Sequence, residues 1–217
     1  MAGDDDTAAA LWYVGPGHVE IRRESLGALA PEAVRVRALH GAISRGTEAL
    51  ILAGKVPETE FQRMRAPFMA GAFPFPVKYG YATVGRVEAG ADELQGKVVF
   101  ALHPHQTLFD IPVDAALPLP EAVPPQRGVL AANMETALNA VWDAGPGPFE
   151  RIAVVGAGVV GALTGLLLRR FTSAPEVTLV DIDLGQRRGD LAIAEDTQLL
   201  TLRQQALYLV KLLQLSY

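Results

Sequence analysis

The stretch Arg151-Ile-Ala-Val-Val-Gly-Ala-Gly-Val-Val-Gly161 decides the fold of this chain of 217 residues. It predicts a compact buried strand that ends in a GxGxxG turn. A helical run continues to Phe171, a second apolar strand follows over Glu176–Val180, and Asp181 comes directly after it. Strand, glycine turn, helix, strand and acid stand in the order that a dinucleotide-binding βαβ unit requires.

Each glycine of this fingerprint has its own mechanical role. Gly156 permits the tight turn, Gly158 lets the backbone approach a pyrophosphate, and Gly161 lets helix and strand pack closely. Val159 and Val160 begin the helix, whose N-terminus would face the phosphates with its positive dipole end. We therefore predict that these five residues contact the cofactor.

Asp181 predicts the choice of cofactor. It lies twenty-five residues beyond Gly156, where a carboxylate can accept hydrogen bonds from both hydroxyls of the adenosine ribose. It would also repel a 2′-phosphate, so NAD is favoured over NADP, although Arg187 and Arg188 nearby keep NADP open. The alternative is a glycine-rich helix start that binds no nucleotide.

Composition excludes several other classes of protein. Twenty-four acidic and nineteen basic residues give a net charge of −5 without a basic stripe, so nucleic acid is not expected as a partner. The chain has no cysteine, which excludes disulfides and thiolate zinc sites. Half of its residues are apolar, enough for the core of one large domain or two small ones.

A secretory or membrane destination is not expected. The acidic start Met1-Ala-Gly-Asp-Asp-Asp lacks the basic and apolar regions of a signal peptide, so we predict a cytoplasmic protein. The longest uncharged stretch, Ile152–Leu168, is shorter than the roughly 20 residues that span a bilayer and contains four glycines. The glycine turn is the better interpretation of that stretch, and no membrane partner is predicted.

Short β-type runs separated by glycine and proline dominate the first 120 residues. Leu11–Val14 and His18–Arg22 flank a Gly-Pro-Gly turn and predict a hairpin. Further strands are predicted over Ala33–Leu39, Tyr81–Glu88, Lys97–Leu102 and Leu108–Val113. So many short strands indicate a β-barrel.

Three helices are predicted outside the glycine motif. The segment Thr47–Leu52 is preceded by a cap residue and ends near Gly54. The segment Gln126–Ala144 has helical spacing of its apolar residues, and we place the domain joint inside it. The Leu-rich tail, Leu199–Tyr217, has heptad-like spacing and predicts one amphipathic helix.

Four parts of the sequence together resemble the medium-chain dehydrogenases/reductases. They are Leu11-Trp-Tyr-Val-Gly-Pro-Gly17, Gly41-Ala-Ile-Ser-Arg-Gly-Thr-Glu48, Val77-Lys-Tyr-Gly-Tyr-Ala-Thr-Val-Gly85, and the helix with the glycine fingerprint. The resemblance covers about residues 10 to 185. It implies an α/β fold with a β-barrel, in which a GroES-like catalytic domain precedes a partial Rossmann domain with a doubly wound parallel sheet. It also implies NAD(P)-dependent hydride transfer between nicotinamide and an alcohol or carbonyl substrate.

The positions of the family's zinc ligands hold other residues here. A cysteine-containing segment stands where Ile43-Ser44-Arg45 is, Gly-His-Glu stands where Gly80-Tyr81-Ala82 is, and a third ligand would fall near Ala132. Neither Ser44, Tyr81 nor Ala132 offers a thiolate, imidazole or carboxylate, so we predict a zinc-independent enzyme without a metal site. The Ser-Arg-Gly-Thr-Glu block and the Asn133-Met-Glu-Thr helix are similar to the branch that includes bacteriochlorophyllide hydroxyethyl dehydrogenases.

The resemblance makes Ser44, Thr47, Glu48, Tyr81 and Glu135 the catalytic candidates. Without zinc, hydroxyl and charged side chains must polarise the substrate oxygen, and Thr47 is close to the slot of a proton-relay Ser or Thr in zinc alcohol dehydrogenases. The alternative is structural: Ser44 and Thr47 as helix caps, Glu48 solvated, Tyr81 packing through its ring, and Glu135 in a surface ion pair.

Two further features leave alternatives open. Arg45 could approach the cofactor pyrophosphate, because a guanidinium forks onto phosphate oxygens, or it could be solvated. His103 and His105 would face the same side of a strand and could bind a metal, but no third ligand is identifiable. A surface or hydrogen-bonded role is the commoner one for such histidines.

The predicted domains are residues 1–125 (GroES-like catalytic domain), 126–150 (connecting helix), 151–190 (first βαβ unit of the Rossmann domain) and 191–217 (divergent Leu-rich tail). The 67 residues from Arg151 to Tyr217 are too few for the second half of a doubly wound domain. A fragment, a frameshifted reading and a shortened variant all fit this length. A truncated, inactive nucleotide-binding or interaction module is therefore the alternative to an enzyme, and a homo-oligomer formed through the tail stays open.

Overall fold

The computed structural model describes residues 6–147, 150–171 and 176–181. The chain divides into two compact units, Met1–Val129 and Leu130–Tyr217. The predicted tail helix and the two arginines after Asp181 lie outside the described residues.

Antiparallel strands form the framework of the first unit. One sheet has the order β2-β1-β5-β4 and the other the order β8-β3-β6-β7-β9. The strands are β1 Thr7–Gly15, β2 His18–Ser25, β3 Ala33–Gly41, β4 Ala70–Gly71, β5 Val77–Lys78, β6 Thr83–Ala89, β7 Val98–Ala101, β8 Leu108–Pro112 and β9 Leu117–Pro118. The predicted hairpin and four further strands are confirmed. Within the described residues of the first unit, an isolated bridge between Ala10 and Gln106 joins the two sheets, and the strands do not form one closed ladder.

Alternation along β3 shows why its sequence forms a half-buried strand. Val34 and Val36 are buried in the same hydrophobic cluster as Phe109 of β8. Arg35 lies between them and donates to both carboxylate oxygens of Asp110, at 2.8 and 2.9 Å, in a bidentate pair. In the first four residues of β3, the apolar side chains thus face the core, and Arg35 bonds at its border.

The helices of the central region differ from the predicted ones in two respects. The first helix, α1, runs over Arg45–Leu52 and so begins two residues earlier than predicted. The predicted helix Gln126–Ala144 is two helices, α2 Pro125–Gly128 and α3 Ala131–Ala144. Gly128 packs so closely that a β-carbon there would lie 2.5 Å from Leu119 Cδ2, and Leu130 at the break has non-helical dihedral angles.

The second unit contains the predicted βαβ arrangement. Strand β10, Arg151–Val155, pairs in parallel with β11, Glu176–Val180, and α4, Val159–Phe171, connects the two. Helices α3 and α4 pack together and on one face of this sheet. Residues on the other face are exposed, and Val155 there is 84% exposed.

Among the described residues, no helix is long and apolar enough to cross a membrane. The uncharged stretch Ile152–Leu168 holds most of β10, the glycine turn and most of α4.

Candidate functional site

The glycine turn after β10 has the shape that its sequence predicts. Gly156 has a φ of 97°, which favours glycine, and its N–H donates to Val180 O at 2.7 Å. A β-carbon on Gly161 would lie 1.7 Å from Gly156 O, so no side chain fits where α4 passes the turn. The carbonyl of Gly158 accepts from Ala162 N at 2.8 Å as α4 begins. The first turn of α4 therefore lies against the glycine turn, as nucleotide binding at a helix N-terminus requires.

Asp181 lies beside the same turn. Its Oδ2 accepts a hydrogen bond from Ala157 N at 2.8 Å, which holds the carboxylate at the end of β11 next to the residue that follows Gly156. The structure thus brings Asp181 together with the predicted cofactor residues Gly156, Gly158, Val159, Val160 and Gly161 in one βαβ unit.

Glu48 is the centre of a hydrogen-bonded cluster in the first unit. Glu48 is only 2% exposed, so it is not the solvated side chain that the structural alternative predicted. Its Oε1 accepts from Ser44 N at 2.7 Å, and its Oε2 accepts from the Tyr13 hydroxyl at 2.5 Å and from His105 Nε2 at 2.7 Å. A buried carboxyl group with three donors has the partners that its burial requires.

The local fold explains how these residues meet. Glu48 is on α1, Tyr13 is on β1, and the loop between β7 and β8 carries His105, whose carbonyl accepts from Leu11 N of β1 at 2.9 Å. Gly80 leaves room for the imidazole, since a β-carbon there would lie 3.0 Å from its ring atoms. The pKa of the Tyr13 hydroxyl is raised far above its ordinary value, mainly by burial and to a smaller extent by the hydrogen bond to Glu48 and the charge of Glu48.

Tyr81 and Thr47 lie beside this cluster. The Tyr81 hydroxyl donates to Thr47 Oγ1 at 3.4 Å, and the Tyr81 ring meets Tyr79 edge to face at 6.2 Å between centroids. Tyr81 therefore packs through its ring and also presents its hydroxyl to a second candidate residue. Burial, with the charges of Tyr81 and Glu48, raises the pKa of Tyr79 to about 12.

Three predicted residues stand apart from the cluster's side-chain bonds. Ser44 occupies the N-cap position of α1, but its side chain makes no capping hydrogen bond, and Arg45 is exposed. Glu135 belongs to the second unit, where its Oε1 accepts from Asn139 Nδ2 at 3.1 Å one turn along α3.

His103 and His105 lie in a loop and not on a strand, and their rings have different neighbours. The His103 ring is buried and stacks on Phe109 with centroids 3.8 Å apart, and this burial lowers the pKa of His103 to about 4. The residues that the structure describes contain no group of three His, Cys, Asp or Glu side chains placed to hold a metal ion.

Sequence reasoning missed Tyr13 and the bond between His105 and Glu48. These partners lie 35 and 57 positions from Glu48 in sequence, beyond the reach of any local spacing rule. A glutamate on an otherwise apolar face of a short helix was the only signal that pointed to a buried polar cluster.

No family profile matches the chain. Two curated relatives match part of it: a sorbitol dehydrogenase of Arabidopsis thaliana, 35% identical over 72 residues, and an L-idonate 5-dehydrogenase of Vitis vinifera, 34% identical over 95 residues. The matched segments are 33% and 44% of this chain but only 20% and 22% of those proteins. The chain thus matches about a fifth of the length of these relatives.

Solved structures give the fold over most of the chain. A short chain alcohol dehydrogenase from E. coli CFT073, complexed with NADH, has a TM-score of 0.67 at 17% identity, over 88% of this chain and 61% of that one. A zinc-binding dehydrogenase, by name, from Sinorhizobium meliloti 1021, bound to NADP, has a TM-score of 0.66 at 19% identity, over 87% of this chain and 59% of that one. The predicted α/β fold class and the predicted resemblance are confirmed: in fold, this chain is similar to the medium-chain, alcohol dehydrogenase-like proteins.

Proposed function

We propose that the chain belongs to an NAD(P)-dependent oxidoreductase that moves a hydride between nicotinamide and an alcohol or carbonyl carbon. The first unit would be the catalytic domain, and the second unit the cofactor-binding domain, joined near Val129. The observation that carries this proposal is the placement of Asp181 beside a glycine turn that excludes a side chain at Gly161. The four similar proteins described above are dehydrogenases by name, which supports the proposal.

The residues present fit a dinucleotide. The space that a β-carbon on Gly161 would fill is needed for the helix to approach the turn, and the helix N-terminus offers N–H groups to a pyrophosphate. Asp181 would accept from the ribose hydroxyls and disfavour a 2′-phosphate, which supports NAD as the preferred form. Bound nicotinamide would supply hydride chemistry at its C4 atom, and Arg45 is the proposed contact of the catalytic domain to the phosphates.

The residues present do not fit a catalytic zinc ion. The family resemblance implies that the zinc-ligand positions fall at Ser44, Tyr81 and near Ala132, where the side chains are two hydroxyls and a methyl group. We therefore propose a zinc-independent reaction. The Thr47 and Tyr81 hydroxyls would orient the substrate oxygen, Glu48 would fix the geometry of the cluster from behind, and Ser44 and Glu135 are the remaining candidates for contact with substrate.

A second candidate is an inactive nucleotide-binding or interaction module. The exposed face of the β10–β11 sheet favours it, because Val155 and Val180 are both large apolar residues open to solvent there. Such a module would bind a nucleotide or a partner without turnover.

Transfer of an isotope label distinguishes the two. The chain would be incubated with NAD and a panel of primary and secondary alcohols deuterated at the carbinol carbon, and the nicotinamide examined by mass spectrometry. The oxidoreductase is supported if deuterium appears in the reduced cofactor and if the rate of label transfer falls at least about tenfold in Thr47→Val. Nucleotide binding with no label transfer for any alcohol would favour the inactive module. Lys55→Met, a change at an exposed residue just after α1, is the matched control and should transfer label like the unaltered chain.

A further inference from the structure

The first unit contains a pocket that no step above uses. It has a volume of about 500 Å³, within the range of roughly 300 to 1,000 Å³ of small-molecule sites. Its walls come from β1, β2, β3 and the first residue of β6, from Ile43 after β3, and from the loop before β8. Most of the lining is apolar, so water against those walls has few hydrogen-bond partners.

Large apolar side chains surround the pocket and remain exposed. Ile21 is 67%, Leu39 is 41% and Ile43 is 71% exposed, and all three line it. Single exposed apolar residues are ordinary, but three around one cavity form the kind of surface that binding an apolar molecule covers.

Five polar side chains, His40, Thr83, His105, Gln106 and Thr107, also line the pocket, and the ring of His105 is the one held by a buried carboxyl group. His105 lines it and is 15% exposed, with Nε2 bonded to the buried Glu48 carboxyl group. A carboxylate oxygen only accepts hydrogen bonds, so Nε2 carries a proton, and in the neutral form of the ring Nδ1 is the acceptor. Within the described part of the chain, Nδ1 has no hydrogen-bond partner, and it lies on the side of Gly41, another residue of the lining.

The other polar groups of the lining are less available as acceptors. Gln106 uses both ends of its amide, accepting from Lys78 Nζ at 2.8 Å and donating to Leu108 O at 2.8 Å. Thr83 donates to His103 O, and Thr107 accepts from Ala9 N. The pocket therefore offers one oriented ring acceptor among apolar walls.

We propose that this pocket binds a small, mainly apolar molecule that carries a hydroxyl group, and that the hydroxyl donates a hydrogen bond to His105 Nδ1. The Glu48 carboxyl group selects the tautomer and fixes the ring, so the acceptor is oriented before the ligand arrives. The site lies wholly in the first unit and does not depend on nucleotide binding.

The test uses cyclohexanol as the probe and methoxycyclohexane, an ether that has no hydrogen-bond donor, as the control compound. Imidazole nitrogen resonances of the full chain are followed by NMR during titration, with His40, also in the lining, identified from a His40→Gln spectrum. We expect a saturable shift of His105 Nδ1 with cyclohexanol and about three- to tenfold weaker binding of the ether, the loss that follows from one hydrogen bond.

A variant with a single added methyl group makes the test specific. In Gly41→Ala the new β-carbon would lie 3.5 Å from His105 Nδ1 and 3.7 Å from Ala82 O, ordinary contacts that the fold tolerates while the methyl covers the nitrogen. Gly27→Ala is the matched control, because its β-carbon meets nothing within 4 Å and lies outside the lining. We expect cyclohexanol to bind at least about threefold more weakly to Gly41→Ala than to the unaltered chain, and to bind Gly27→Ala with unchanged affinity. Equal affinities for alcohol and ether, or no saturable shift at His105, would overturn the proposal whether or not the chain binds NAD.

Discussion

Replacement of Glu48 by leucine should destabilise the first unit severely. The change removes the acceptor of three hydrogen bonds, from Ser44 N, the Tyr13 hydroxyl and His105 Nε2, inside a site that is almost closed to water. A donor left without a partner at such a site costs about 1 to 3 kcal/mol, so the buried Tyr13 hydroxyl and the two part-buried donors cost about 6 kcal/mol at the middle of that range. Burial of the leucine returns about 2 kcal/mol, which leaves a net loss of about 4 kcal/mol.

Urea unfolding measures this loss. The chain has two tryptophans, so in a Trp142→Phe background the fluorescence of Trp12 reports on the first unit alone. With a urea slope of about 1 to 2 kcal/mol/M, the midpoint should fall by about 2 to 4 M. Tyr13→Phe removes one donor and leaves the carboxyl group its other two, so it should cost only about 1 kcal/mol. Glu58→Leu, at an exposed position of the same unit, is the control and should stay within about 0.5 kcal/mol. A Glu48→Leu variant within about 1 kcal/mol of the unaltered chain would show that the cluster does not depend on its carboxyl group.

Two further predictions follow from single contacts. Gly161→Ala forces a methyl group onto Gly156 O and should destabilise the second unit by about 1 to 3 kcal/mol or more. Gly46→Ala, in open space on α1, is the control and should be neutral or stabilising. Calorimetric unfolding of both variants checks this, and equal effects on stability would contradict it. The depressed pKa of His103 favours its neutral form in the folded state, so stability should be full above about pH 6.5 and fall by roughly 3 kcal/mol as the pH drops towards 4. In His103→Phe, which keeps a ring against Phe109, that part of the pH dependence of the urea midpoint should vanish, and its persistence would assign it to other groups.

The βαβ unit could be predicted closely because its determinants are local. The glycine spacing, the apolar runs on either side and the acid after Val180 are read within 31 residues, and the structure has β10, α4 and β11 where the sequence places them. The break between α2 and α3 could not be predicted, because the apolar spacing continues through it. At the break Leu130 has non-helical dihedral angles, and the nearby Gly128 packs closely on Leu119, a tertiary contact that local spacing does not encode.

The candidate catalytic residues were predicted as a set, but their relations were not. Thr47 and Glu48 are neighbours on α1, yet Thr47 approaches Tyr81 and Glu48 turns to Tyr13 and His105, because successive helix residues point in directions about 100° apart. Which partners meet them is set by the sheet pairing of distant strands. Spacing alone had linked His105 with His103, whereas both lie in a loop, where His103 stacks on Phe109 and His105 bonds to Glu48.

Nucleotide binding tests the central claim most directly. Binding of NAD and NADP would be measured by isothermal titration calorimetry for the unaltered chain, for Asp181→Ala and for Asp143→Ala, an exposed acidic residue of the same unit. We predict that NAD binds more tightly than NADP. Asp181→Ala should weaken NAD binding by about tenfold or more and narrow the difference in affinity between NAD and NADP. Asp143→Ala should change the affinity for neither nucleotide. No binding of either nucleotide, or an NAD affinity unchanged by Asp181→Ala, would contradict the proposed cofactor site.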